Sequence, residues 1–234
     1  MREGRPAGRL AASPERCRAA VPAGDREGYR NGPPHHDTSA QAVTSIAGDV
    51  RLLDGAGKEL WARQMDSYLF APTTVADVDG DGQPEIVAAA GSLYAFDVRG
   101  NERWRTPDYG SIARGAAVAD TDGDGGLELL FGAQDRQFRM VQGSTGKPLW
   151  TFDATVRGHV YEGIDSGPLV DDFDGDGNLD VFFVAGKGTS DATRPENYGR
   201  AYALRLGPGR DAWPVFRGNL QRTGTRSPPA CSGG

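Results

Sequence analysis

The chain is poor in several things, and each shortage excludes a class of function. No run of about 18 apolar residues occurs, so no transmembrane helix is expected. The first 30 residues are rich in Arg, Gly, Ala and Pro and carry no apolar stretch of the signal-peptide kind. Positive charge is not in excess: the net charge is −6 and the pI about 5.1, which argues against a nucleic-acid partner. There are two cysteines, Cys17 and Cys231, one near each end. They can pair tail to tail or stay as two thiols, and they do not set the redox compartment. The three histidines are His35, His36 and His159. No Gly-x-Ser-x-Gly, His-Glu-x-x-His or phosphate-binding loop is present. No helical pattern separates the apolar runs, which excludes a βαβ repeat.

Glycine, by contrast, is abundant, with 34 residues beside 15 prolines, and no G-X-Y period accompanies it. So much glycine in a folded chain means many turns and therefore short strands. Residues 1–42 show no periodicity and are expected to be a disordered or non-native tail. Its arginines could meet an anionic partner, but a solvated tail is the plainer reading, for the His35–His36 pair as well. Residues 225–234 are expected to be a flexible C-terminal tail, leaving 43–224 as the folded part.

Two repeating columns run through that part. The first is a tryptophan four residues after a glycine: Gly57 to Trp61, Gly100 to Trp104, Gly146 to Trp150 and, more loosely, Gly209 to Trp213. It holds all four tryptophans, at spacings of 43, 46 and 63 residues. The second is an acidic loop that runs into an apolar stretch. Its first copy is Asp77-Val78-Asp79-Gly80-Asp81-Gly82-Gln83-Pro84-Glu85, followed by Ile86 and Val87. The same pattern starts at Asp120 and at Asp172, giving spacings of 43 and 52 residues. Trp61 and Trp104 each precede the next acidic loop by 16 residues, and Trp150 precedes its loop by 22.

Within one period, short apolar runs alternate with Gly-rich turns. After Trp61 the runs are 73–76, 85–90, 92–97 and 102–106, four strands in a unit of about 45 residues. That is the size of a propeller blade. The predicted fold is all-β: a partial β-propeller of about three and a half blades of four antiparallel strands, or a small closed propeller. The predicted blades are the last strands of one unit (43–66), then 67–109, 110–155 and 156–217. An insertion at about 186–199 falls in the last of them, where loops often carry binding specificity.

The acidic loops have a clear chemical logic. Calcium takes six to eight oxygen ligands at about 2.3–2.6 Å. Carboxylates at positions 1, 3 and 5 can turn inward around such an ion, and glycine at position 6 permits the sharp turn. A carbonyl from position 7 and a carboxylate at position 9 would complete the shell. The candidate ligands are therefore Asp77, Asp79, Asp81, Gln83 and Glu85; Asp120, Asp122, Asp124, Gly126 and Glu128; and Asp172, Asp174, Asp176, Asn178 and Asp180. An EF-hand needs a glutamate at position 12 between two helices, whereas Ala88, Phe131 and Phe183 stand there. Asp-Gly turns without an ion remain the alternative. Packed together without a cation, such carboxylates repel one another.

These loops, D-x-D-G-D-G-x-x-[DE] leading into an apolar strand, resemble the FG-GAP/VCBS repeat found also in integrin α-chain propellers. The resemblance implies calcium, about three ions, bound by the acidic residues just named. The other column, Tyr94-Ala95-Phe96-Asp97…Gly100…Trp104 and Gly146…Trp150, is similar to the outer hairpin of quinoprotein-type blades, where the tryptophan docks one blade on the next. The ending from Trp213 to Gly224 looks like a tail of bacterial propellers of this group. Together the similarities cover about residues 47–224. The first unit lacks its acidic loop, and no adjacent cysteine pair or quinone pocket is recognisable.

Two kinds of function follow as expectations. One is a calcium-stiffened module, extracellular, periplasmic or on the cell surface, that binds a protein or glycan or serves as a scaffold within a longer propeller chain. The other is a fragment of a propeller enzyme of the polysaccharide lyase or quinoprotein oxidoreductase type. That alternative requires Arg114, His159, Tyr161, Lys187 and Arg200 to converge. The stretch holding His159, Tyr161, Glu162 and Asp165 reads more simply as a loop between blades.

Overall fold

Glycine turns cut this chain into strands of three to eight residues, and within each sheet every strand pairs with the one before it. We describe the fold from a computed structural model, which defines residues 40–156, 163–186, 199–210, 212–218 and 224. Sheet one holds β1 (Gln41–Thr44), β2 (Asp49–Leu53) and β3 (Glu59–Gln64). Sheet two holds β4 (Thr74–Ala76), β5 (Glu85–Ala89), β6 (Leu93–Phe96) and β7 (Glu102–Arg105). Sheet three holds β8 (Ala117–Ala119), β9 (Glu128–Gly132), β10 (Gln137–Gln142) and β11 (Pro148–Asp153). Sheet four holds β12 (Leu169–Asp171), β13 (Leu179–Ala185) and β14 (Arg200–Gly207). Every pairing is antiparallel. The chain is thus an all-β partial propeller of four successive meander sheets. The described strands begin at Gln41, two residues before the expected start of the folded part at 43.

The tryptophan column shows which strands of a blade sheet one holds. Trp61 lies on β3, as Trp104 lies on β7 and Trp150 on β11, each the last strand of its sheet. The one-residue register slip between β2 and β3 matches those between β6 and β7 and between β10 and β11, so β1–β3 correspond to strands two to four of a blade. Among the described residues, sheet one therefore lacks the strand that would lead into an acidic loop.

Apolar packing stacks the sheets in chain order. One core cluster joins Val50, Leu52 and Trp61 of sheet one to Ile86, Ala88, Tyr94 and Phe96 of sheet two. A larger one joins the other face of sheet two to sheets three and four, through Val87, Leu93, Leu130, Phe131, Phe138, Val181 and Phe183. β5 and β9 are buried at every position because each lies between two sheets. β13 is not: Phe182 and Val184 are exposed, although the counterparts of Phe182 (Val87 and Leu130) and of Val184 (Ala89 and Gly132) are buried.

The tryptophan column docks neighbouring sheets. The Trp61 indole N–H on β3 donates to Val98 O of the next sheet at 3.1 Å, and Trp104 on β7 donates to Gly143 O at 2.8 Å. Each ring lies flat on a turn glycine. A Cβ on Gly100 would come within 2.7 Å of the Trp61 ring, and one on Gly146 within 2.5 Å of Trp104. Both glycines also have positive φ, 80° and 69°, so the position is closed to other residues twice over. The third junction is built differently. Phe138 stacks on Phe183 at 4.1 Å, while Phe152 meets Phe183 and Tyr202 edge-on.

Trp213 departs from the expected column. It does not sit on a fourth strand of sheet four but pairs with Val170 of β12, exchanging bonds of 2.7 and 3.0 Å. The reason is that β4, β8 and β12 converge on one edge, where Thr74 Oγ1 donates to Ala116 O and β8 abuts β12. Their free backbone groups need partners. The chain after β14 supplies them: Arg210 pairs with Asp120, Trp213 with Val170, and Gly224 O accepts from Val75 N.

Candidate metal centres

Each acidic loop links the first strand of its sheet to the second, and its backbone is folded by its own carboxylates. In the loop between β4 and β5, Gly80 N and Gly82 N donate to the two oxygens of Asp77 at 2.8 and 3.0 Å. Asp81 N donates to Asp79 Oδ1, and Gln83 N to Asp81 Oδ1. The loop between β8 and β9 repeats these bonds on Asp120, Asp122 and Asp124. The loop between β12 and β13 repeats them on Asp172, Asp174 and Asp176. Glycine at position 6 is required because Gly82, Gly125 and Gly177 have φ of 88°, 91° and 87°.

The acidic residue at position 9 is the first residue of the second strand in β5 and β9 and the second residue of β13, on the buried side. Glu85, Glu128 and Asp180 are 2%, 6% and 9% exposed. Each accepts the backbone N–H of position 2 on one oxygen: Val78 on Glu85 Oε2, Thr121 on Glu128 Oε2 and Phe173 on Asp180 Oδ2. The Thr121 hydroxyl adds a second bond to Glu128 Oε2 at 2.7 Å. The other oxygen of each has no hydrogen-bond donor among the described residues. In every loop, one carboxylate oxygen each from positions 1, 3 and 9 lies within 4.8 Å of the others: Asp77, Asp79 and Glu85; Asp120, Asp122 and Glu128; Asp172, Asp174 and Asp180.

Without a cation this arrangement is electrostatically costly. Burial pushes the Glu85 carboxyl from 4.5 up to about 7, the Val78 amide opposes that, and the charges of Asp79, Asp81 and Asp77 add to it. Burial raises Glu128 as well, against its bonds from Thr121, with Asp122 and Asp120 adding to the rise. An all-oxygen set around a buried carboxylate with an unused oxygen suits a hard divalent ion such as calcium, which would relieve the repulsion. Asp81, Asp124 and Asp176 lie in the loops but outside the closest groups. Gln83, Gly126 and Asn178 contribute their amides to those carboxylates.

Two contacts were missed in the sequence. The Arg103 guanidinium of β7 reaches Asp79 Oδ2 at 2.9 Å. Arg205 of β14 reaches Asp174 Oδ2 at 3.3 Å and also pairs with Asp176 Oδ2. A signal for the first existed, since Arg103 precedes Trp104 where Leu60 and Leu149 precede theirs. For Arg205 no comparable column marks the position.

Of the residues weighed for catalysis, Arg114 donates to Asp165 O at 3.1 Å near the converging edge. There it lines a cavity of about 20 Å³ with Arg217, Trp213 and Phe216, room for a single water molecule. Arg200 opens β14. His159, Tyr161, Glu162 and Lys187 lie outside the described residues, as do Cys17, Cys231, His35, His36 and nearly all of the insertion. No helix among the described residues is long and apolar enough to cross a membrane.

No protein-family model matches the sequence, and no curated protein does. Among solved structures, the chain is similar to BamB from Moraxella catarrhalis, with 19% identity over 73% of this chain and 45% of that one, TM-score 0.47. It is also similar to the C-terminal domain of Pseudomonas aeruginosa PilY1, with 20% identity over 63% of this chain and 36% of that one, TM-score 0.48. A third is the V. cholerae biofilm matrix protein Bap1, with 22% identity over 65% of this chain and 26% of that one, TM-score 0.47. The chain spans less than half the length of each.

Proposed function

We propose that this chain is a calcium-binding β-propeller module of the FG-GAP/VCBS kind. Its role is to present loops as a binding or scaffold surface for a protein or glycan outside the cytosol. The observation that carries the reading is the threefold recurrence of one geometry, in which a buried carboxylate is held beside two aspartates within 4.8 Å. A polar turn needs none of that burial, because Asp-Gly turns form with their carboxylates in water. An ion gives the burial a purpose, since it neutralises charges that the fold has already brought together. The extracellular placement follows from affinity: modules of this type bind calcium at about 10⁻⁴–10⁻³ M, so the ion must be plentiful. Calorimetric titration of the calcium-free chain tests the reading. Binding of up to three ions per chain is expected, and no heat at millimolar calcium would refute it.

A further inference from the structure

The three loops share one backbone pattern, yet they differ in how many carboxylate oxygens remain free for an ion. At position 3 the inner oxygen always accepts the N–H of position 5, which leaves Oδ2. In the Asp120 loop, Asp122 Oδ2 has no partner among the described residues. Leu149 stands where Arg103 stands in sheet two. In the Asp77 loop, Arg103 holds Asp79 Oδ2 at 2.9 Å. In the Asp172 loop, one guanidinium takes two oxygens, Asp174 Oδ2 and Asp176 Oδ2.

We propose that the loops form a graded set of calcium sites, in which Arg103 and Arg205 act as built-in competitors for the ion. The inference rests on the calcium reading above. An arginine at a carboxylate must move or share its oxygen before the ion can use that oxygen, and its positive charge repels the ion meanwhile. The Asp120 loop fills first, the Asp77 loop second and the Asp172 loop last. The same pairs give the reverse behaviour when calcium is absent. The Asp77 and Asp172 loops keep a counter-charge, whereas the Asp120 loop has none among the described residues and loosens most.

Calorimetric titration with calcium alone tests the ordering on the wild-type chain, Asp122→Asn, Arg103→Gln and Arg205→Gln, with circular dichroism confirming the fold of each. Glutamine keeps most of the stem and removes the charge. The wild type should show one tight and two weaker sites, and Asp122→Asn should lose the tight one. Arg205→Gln should tighten the weakest site by about threefold to tenfold, and Arg103→Gln should tighten the middle one by less. Amide exchange without calcium provides a second measure, with Gly125 expected to exchange faster than Gly82 and Gly177. Three equal sites, or arginine variants that bind no more tightly, would overturn the ordering and leave the calcium reading intact. No binding in any variant would overturn both.

Discussion

The strands and the acidic loops of this molecule are held by opposite means. Strands such as β5 and β9 lie between apolar faces, and nothing in solution is needed to complete them. The loops at their ends crowd carboxylates together, and one carboxylate in each is buried. On the calcium reading proposed above, packing sets a stability that ions leave unchanged, while the loops would make part of the stability conditional on pH and calcium. One short repeat would then carry two independent controls a few residues apart.

The largest effect should come from the strands. Phe138 is fully buried and stacks on Phe183 across the junction of sheets three and four. Phe138→Ala should destabilise the fold by about 3–5 kcal/mol in a denaturant titration. It lies four residues along β10 from Gln142, which pairs with Glu128. That is about 13 Å at roughly 3.3 Å per residue, far enough for independence. The loss should therefore be the same with calcium and with chelator; a loss confined to one condition would break the comparison.

A smaller effect should come from pH, in the loops alone. Glu85 binds its proton more tightly folded than unfolded, with a folded pKa of about 7 against 4.5. Between those values the folded chain holds more protons, so this group's contribution to stability falls as pH rises. In chelator, denaturation midpoints should decline from pH 5 to pH 7 on this account, and Glu85→Gln should flatten the decline. In saturating calcium the ion stabilises the carboxylate and the decline should vanish. A chelated wild type whose stability rises over that range, with Glu85→Gln unchanged, would contradict the assignment of burial as the dominant cause.

Much of this was readable in advance, for physical reasons. Glycines at the turns and tryptophans in phase with the acidic loops defined the sheets, and the expected strands of sheet two match β4–β7 closely. The D-x-D-G-D-G spacing marked the loops because position 6 must adopt positive φ. What escaped was tertiary. Trp213 matched its column loosely, but the open edge of β12 drew it inward as a backbone partner. Arg103 and Arg205 are distant in sequence from the carboxylates they meet; Arg103 is marked only by standing where Leu60 and Leu149 stand, and no column marks Arg205.

A thermal melt in about 10 mM calcium and then in excess chelator tests the central claim most directly. At affinities of about 10⁻⁴–10⁻³ M, each filled site adds about 1.4–2.7 kcal/mol. Three sites should raise Tm by roughly 10 °C or more, reversibly with chelator. An identical Tm in the two conditions would contradict the account and leave the acidic loops as turns alone.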